Sequence, residues 1–225
     1  MKLHAHPIST VSRPVMLFIA DNKIDCESVV VDLMTGEHMQ EPFAKLNPNK
    51  LVPVLEDGDL VLTESSAILK YLAEKIGSST YPKDLVKRAK VNEMMDWFNT
   101  GLYRDYGYNM IYPQVYPHHK RSPDDANKTV TEWGKAQAQN WLGVLNGHHL
   151  SSGQKYLCGG DLSIADYFGA GILSVGDLVG VSFGNYANVN RWMDTMRQLP
   201  SWASVTEAHN GFAGSLKGQS FVTIS

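Results

Sequence analysis

Residues 47–72 read NPNKLVPVLEDGDLVLTESSAILKYL, and their order decides how the first part of the chain folds. Val52 to Leu55 and Leu60 to Leu62 are β-prone runs on either side of Asp57-Gly58, a strong hairpin signal because glycine tolerates positive φ. Pro53 opens the first of these strands, where a missing N–H leaves no central ladder bond unmade. After the second strand, Thr63-Glu64-Ser65-Ser66 precedes Ala67, Ile68, Tyr71, Leu72 and Ile76, which recur at helical spacing. A Ser or Thr at that point reads as an N-cap and Gly77 as the stop. The start of a helix presents free N–H groups and a positive dipole end, a natural seat for a carboxylate. Spacing alone is equally satisfied by a plain ββα unit whose helix is merely capped.

Upstream, Lys2 to Ile8 and Cys26 to Asp32 are expected as strands. Ser12 to Asn22 and His38 to Leu46 are expected as helices. The resulting order β-α-β-α-β-β-α makes an α+β sheet with helices on both faces. Residues 78–84 are a polar, proline-containing linker, so residues 1–77 form one domain and 85–225 another. Beyond the linker the strand signal almost vanishes. A helical pattern runs from Asp84 to about Met110 and is expected to break at Pro113 and Pro117. Further helices are expected over Asp124 to Leu145 and Asn188 to Arg197. GGDLSIADYFGAGIL supplies Ser163 as an N-cap, with Asp166 three residues on to close a capping box. The second domain is therefore all-α, with Trp97 and Trp133 expected in its core.

The 225 residues are 43% hydrophobic and 19% charged, with a formal net charge of -3. That balance gives no electrostatic footing for nucleic acid or an anionic membrane. No apolar run reaches the ~18 residues a bilayer span needs, and the N-terminus has no signal-peptide core. Cys26 and Cys158 stand far apart, outside any CxxC or metal spacing, which suits a reducing cytoplasm. His118-His119 lacks a third ligand and is expected to be solvated, so no metal is implied.

An α+β domain carrying NPxxxVPxLxDGDxxLTES, followed by a helical domain carrying GDxSxAD, resembles the cytosolic glutathione transferases, most of all their theta-like, serine-using members. The resemblance spans essentially the whole chain. It implies a thioredoxin-like N-terminal domain, an all-helical C-terminal domain, a homodimer and a cytoplasmic protein. The expected partners are glutathione as co-substrate and a small hydrophobic electrophile, with no cofactor.

Residue by residue, Val52-Pro53 matches the family's Val-Pro, whose proline is cis and whose valine backbone pairs with the cysteinyl part of glutathione. Glu64 and Ser65 match the pair that holds the γ-glutamyl end. His38 falls where a histidine stands near the glycyl carboxylate, and Lys50 lies beside the same end. Leu51 departs from the pattern, since many relatives carry a second basic residue there. In HPISTVSRPVMLF, Ser9 takes the place of the catalytic serine and Arg13 that of the arginine opening the first helix. Ser12 competes for contact with the thiol, although its position suits an N-cap. No Tyr or Cys occurs in this loop, as tyrosine- or cysteine-using classes require.

For the second substrate, Tyr103, Tyr106 and Met110 share one face by i, i+3, i+7 spacing and are expected to line a pocket, with Ser12 beside them. Helix packing or a dimer contact would use the same residues equally well. Asp166 is expected to be structural. Dehalogenation or peroxide reduction at the same site, or a non-catalytic binding module of this fold, remain alternatives to conjugation.

Overall fold

The computed structural model describes residues 1–151 and 153–225. Four short strands form one sheet in the order β2-β1-β3-β4. These are β1 (Lys2–Ala5), β2 (Glu27–Val30), β3 (Val54–Asp57) and β4 (Leu60–Leu62). β1 and β2 run parallel with Lys2 opposite Glu27. β3 lies antiparallel to β1, with Leu3 opposite Leu55, and β4 closes the hairpin through Asp57 opposite Leu60. The parallel pair needs a crossover, and α1 (Ser12–Asp21) provides it, burying Val15, Leu17 and Phe18. α3 (Ser65–Lys75) sends Ile68, Leu69, Leu72 and Ala73 into the same core. This is the expected α+β, thioredoxin-like order.

The helix expected from His38 to Leu46 is two pieces: a 3₁₀ turn at Glu37–Met39 and a single helical turn, α2 (Phe43–Leu46). Pro42 separates them. It has no N–H to continue a helix, and it biases Glu41 toward extended backbone.

The rest of the chain is helical, as expected. α4 (Leu85–Asp96), N-capped by Asp84 through Lys87 N at 2.9 Å, runs into π-helical stretches at Trp97–Leu102 and Arg104–Ile111, then α5 (Tyr112–Val115). Pro113 therefore does not end the helix. It sits second in α5, where the π-helical stretch gives way to α-helix; the run stops at Val115. α6 (Asp124–Val144) packs against the π-helical stretch, and Gly134 makes the approach possible: a Cβ there would lie 2.7 Å from the carbonyl carbon of Asn109.

α7 (Ile164–Leu173) is buried on every side and belongs to the same continuous core as β1, α1 and α3. Its capping box forms as expected. The Ser163 N–H and hydroxyl both donate to Asp166 Oδ2, at 2.9 and 2.7 Å, while Leu157 N and Trp192 Nε1 donate to Oδ1. α8 (Ala187–Arg197) follows the expected bounds closely. α9 (Trp202–Ser215) was not signalled by the sequence: only Thr206 and His209 are buried along it. It is held from outside, by His209 Nε2 against the Ser174 carbonyl at 3.0 Å. Trp97 packs edge-on against Phe98 and Trp141, whereas Trp133 is 49% exposed and not a core residue.

Candidate functional site

A cavity of about 300 Å³ opens between the sheet domain and the α4–α5 helical run. Leu51, Val52, Pro53, Glu64 and Ser65 line one side; Asn99, Tyr103, Arg104 and Tyr108 line the other; Val11 closes the end beside α1. Five of the seven residues expected to hold glutathione thus meet in one place. A larger and more open cavity of about 620 Å³ lies between the Ser174–Val179 turn, α9 and the C-terminal tail, and contains none of the expected residues.

The sheet side of the cavity is made of special backbone. The Val52-Pro53 peptide is cis. The turn before it is shaped by Asn47, whose amide donates to the Leu51 carbonyl at 2.7 Å and whose oxygen accepts from Asn49 N at 3.0 Å. Lys50, at the turn, has φ +56°. Glu64 is the N-cap of α3 with φ +64°, and makes no side-chain cap bond. Ser65 is thus the first helical residue, not the cap that spacing suggested. A non-glycine residue on the left-handed side costs about 1–2 kcal/mol and persists only where its surroundings dictate it. The result is an α3 start with no acidic residue in its first turn, facing the cavity. Such an end binds anions.

Ser9 lies in the loop between β1 and α1, half-buried, with its N–H on the His6 carbonyl at 2.9 Å. Its Oγ accepts from Ser12 N at 3.3 Å, a cap bond made from outside the N-cap position, which is Val11, and it keeps its own hydroxyl hydrogen for another acceptor. Ser9 is not itself among the cavity-lining residues; Val11 of the same loop is. Ser12 is fully buried, and its Oγ has no partner among the described residues, so it neither caps the helix nor reaches the cavity. Arg13 pins the loop from below. Its guanidinium donates to the Ile8 carbonyl and to Ser174 Oγ, both at 2.8 Å, and burial lowers its pKa to about 10.

His38, in the Glu37–Met39 turn, is half-buried, and its Nδ1 finds no partner among the described residues. Burial first, and nearby His118 second, lower its pKa, so it is neutral at pH 7. His38 and Lys50 are not in contact with the cavity proper.

The helical side corrects the second-substrate expectation. Tyr103 lines the cavity, but Tyr106 and Met110 are fully buried, and the Tyr106 hydroxyl donates to the Leu173 carbonyl at 3.0 Å. The cause is the winding. π-helical turns bond i→i+5 instead of i→i+4, so side chains four or five apart share a face. Asn99, Tyr103, Arg104 and Tyr108 follow that spacing, and three of them were missed because an α-helical period was assumed. Gly107 lets the turn close, since a Cβ there would lie 2.6 Å from the Tyr103 ring. Arg104 is held on Asp105, a carboxylate 1% exposed that also accepts from Trp141 Nε1 and Asn109. Behind the cavity, Tyr108, Tyr112, Tyr116 and His119 stack edge-on or tilted, 5.0 to 6.3 Å between ring centres. His118 is solvated as expected; His119 is half-buried, and burial lowers its pKa to about 4.

Among the described residues no group of three or more His, Cys, Asp and Glu is placed to hold a metal ion, and no helix is long and apolar enough to cross a membrane. Two family models match the chain: the glutathione S-transferase N-terminal domain over residues 1–74 and the C-terminal domain over residues 112–200. Glutathione S-transferase theta-1 of Bos taurus is 36% identical over 172 residues, spanning 74% of this chain and 69% of that protein. Apo human glutathione-S-transferase T1-1 superposes with a TM-score of 0.82 at 29% identity, over 95% of this chain and 90% of that one. A delta-class glutathione transferase of Nilaparvata lugens gives 0.81 at 30% identity, over 96% and 98%.

Proposed function

The chain belongs to the glutathione S-transferase family, theta-like in character, and from that premise we propose how its site works: Ser9 ionises the thiol of bound glutathione for attack on a small hydrophobic electrophile. The activity is that of a glutathione transferase, with glutathione as co-substrate.

One observation carries the assignment: a single cavity joins the Leu51–Pro53 edge, the free start of α3 and the loop that holds Ser9. In this reading the γ-glutamyl carboxylate sits on the N–H groups and hydroxyl at Ser65, and its ammonium faces Glu64. The cysteinyl backbone runs along Val52. The glycyl carboxylate approaches the His38 side chain and the Lys50 ammonium. Leu51, 57% exposed, offers no second cation there.

A free thiol with pKa near 8.5 is only a few per cent thiolate at pH 7, and the thiolate is the nucleophile. The Ser9 hydroxyl hydrogen, unspent by its cap bond, donates to the sulfur, and the α1 dipole adds to it. A drop of ~2 units corresponds to about 2.7 kcal/mol, within reach of one charge-assisted bond plus a dipole. Tyr103 and Tyr108 form the wall against which the electrophile rests, holding it beside the thiolate.

We further place the domain division at residues 78–84, and take the working unit to be a cytoplasmic homodimer. The ultraviolet difference spectrum of bound glutathione against pH tests the mechanism. Wild type should show a depressed thiol pKa, and Ser9→Ala should return it toward about 8.5. A thiol pKa indifferent to Ser9 would remove the serine from the mechanism.

A further inference from the structure

A chain of three hydroxyls connects the cavity wall to the Ser9 loop across a long stretch of sequence. The Tyr112 hydroxyl donates to Thr10 Oγ1 at 2.7 Å, a bond between residues 102 apart in the chain. The Tyr112 and Tyr103 hydroxyl oxygens are 2.6 Å apart. A phenol has one hydrogen. With that of Tyr112 committed to Thr10, Tyr103 is the donor in the second bond, so the chain has a direction: Tyr103 to Tyr112 to Thr10. Its two ends are functional ground. Tyr103 lines the cavity, and Thr10, 3% exposed, follows Ser9 directly.

We propose that Tyr112 is a positioning residue for the thiol-activating loop: through Thr10 it fixes the Ser9–Thr10 peptide, and through Tyr103 it ties that loop to the wall that receives the electrophile. This rests on the role of Ser9 proposed above.

A buried hydroxyl network holds its geometry only if its members are paired, and here each oxygen has a hydrogen-bond partner. The surroundings keep it in one protonation state. Burial raises the pKa of the Tyr103 and Tyr112 phenols, so both hold their protons. The rings facing Tyr112 are Tyr103, Tyr108, Tyr116 and His119. His119, with its pKa near 4, is uncharged wherever the thiol titrates. The buried Arg13, a cation that feels Tyr112, also holds the Ile8 carbonyl of the same loop. Ring packing alone would be served by phenylalanine at 112; the hydroxyl is what needs a reason.

The experiment measures the thiol pKa of bound glutathione, kcat and KM for Tyr112→Phe, Thr10→Val, their double variant and Tyr103→Phe, with Ser9→Ala in parallel. Tyr112→Phe should raise the thiol pKa and lower kcat at pH 7 about fivefold, the effect of one lost hydrogen bond, with KM for glutathione nearly unchanged. Thr10→Val should do the same, and the double variant no more, because both remove one bond. Thr10→Ser, which keeps the accepting hydroxyl, should restore what Thr10→Val loses. Tyr103→Phe should cost less, since the Tyr112-to-Thr10 bond survives. If Tyr112→Phe only lowers the melting temperature while thiol pKa and kcat stay at wild-type values, the positioning role is refuted. Strict additivity of the two substitutions refutes it too. Should Tyr112→Phe fail to fold, Thr10→Val against Thr10→Ser reads the same bond. A shift in Ser9→Ala without one in Tyr112→Phe sinks this inference alone; no shift in either sinks the Ser9 mechanism and this inference with it.

Discussion

The two sides of the cavity are built by different means. The sheet side, Leu51 to Ser65, places backbone: a cis Val52-Pro53 peptide, a left-handed Glu64 and an open helix start. The helical side, Asn99 to Tyr108, places side chains, and does so on π-helical turns. The first side suits a ligand that never changes, because main-chain groups cannot be exchanged by substitution. The second suits a ligand whose recognition can change, because each ring or cation along the face can be replaced without disturbing the backbone groups opposite. Substitutions on the two sides should therefore separate glutathione chemistry from electrophile selection.

The largest expected effect tests the loop between the two sides. Ser9→Ala should cut kcat at pH 7 roughly 20-fold, the thiolate fraction lost when the thiol pKa rises ~2 units toward 8.5. KM for glutathione should change little, as steady-state kinetics with a generic aromatic electrophile will show. Equal losses in both would mean that Ser9 binds glutathione and does not activate it.

Next in size is Gly107→Ala on the helical side. The added Cβ would drive the Tyr103 ring out of place, at the ~1–3 kcal/mol typical of overpacking. KM for the electrophile should rise about tenfold, with glutathione affinity, measured by calorimetry, left as it was. A matching loss of glutathione affinity would erase the distinction between the sides.

Glu64 gives a smaller and sharper test. At φ +64° any L-residue is strained, glycine is not, and relief is worth about 1 kcal/mol. Glu64→Gly should thus be more stable to urea than Glu64→Ala, reversing the usual order, while both lose glutathione affinity. A glycine variant less stable than the alanine one would show that the backbone here is not strained.

The smallest effect is a pH dependence confined to the helical side. His119 titrates near 4 in the fold, against about 6.5 when unfolded. Its neutral form is favoured by folding, so its contribution is complete above pH 6.5 and is lost as pH falls toward 4. Half-exposure keeps the size modest. Melting temperature should drop less between pH 7.5 and 4.5 in His119→Asn than in wild type. An unchanged slope would place the acid sensitivity elsewhere, with buried His209 the next residue to replace, since burial lowers its pKa as well.

Much of the sheet side was legible because its signals are local. The Asp-Gly signal can hardly be other than a turn, although the turn falls one residue later than expected, at Gly58-Asp59, because Asp57 still pairs with Leu60, and the β-prone runs beside it form a hairpin. The Ser163–Asp166 box was equally readable, since both partners lie within one helical turn. Tyr106 and Met110 were misplaced because side-chain period was inferred from an α-helix, and no residue between Trp97 and Ile111 announces i→i+5 winding. Ser12 is the first helical residue of α1 and not its cap, because the helix starts one residue sooner than expected, with Val11 at the N-cap. α9 escaped notice because it buries only Thr206 and His209, too few to leave a periodic trace.

By itself, the sequence determined the alternation of strands and helices in the first domain, the helical class of the second, the hairpin, the capping box and, through its motifs, the resemblance that named glutathione. Each of these is set by neighbours a few residues apart. The tertiary structure alone decided which tyrosines face the cavity, that Arg13 grips the Ile8 carbonyl from beneath, and that Tyr112 reaches Thr10. Those contacts join residues distant in the chain, and their geometry depends on winding and packing that no local pattern encodes.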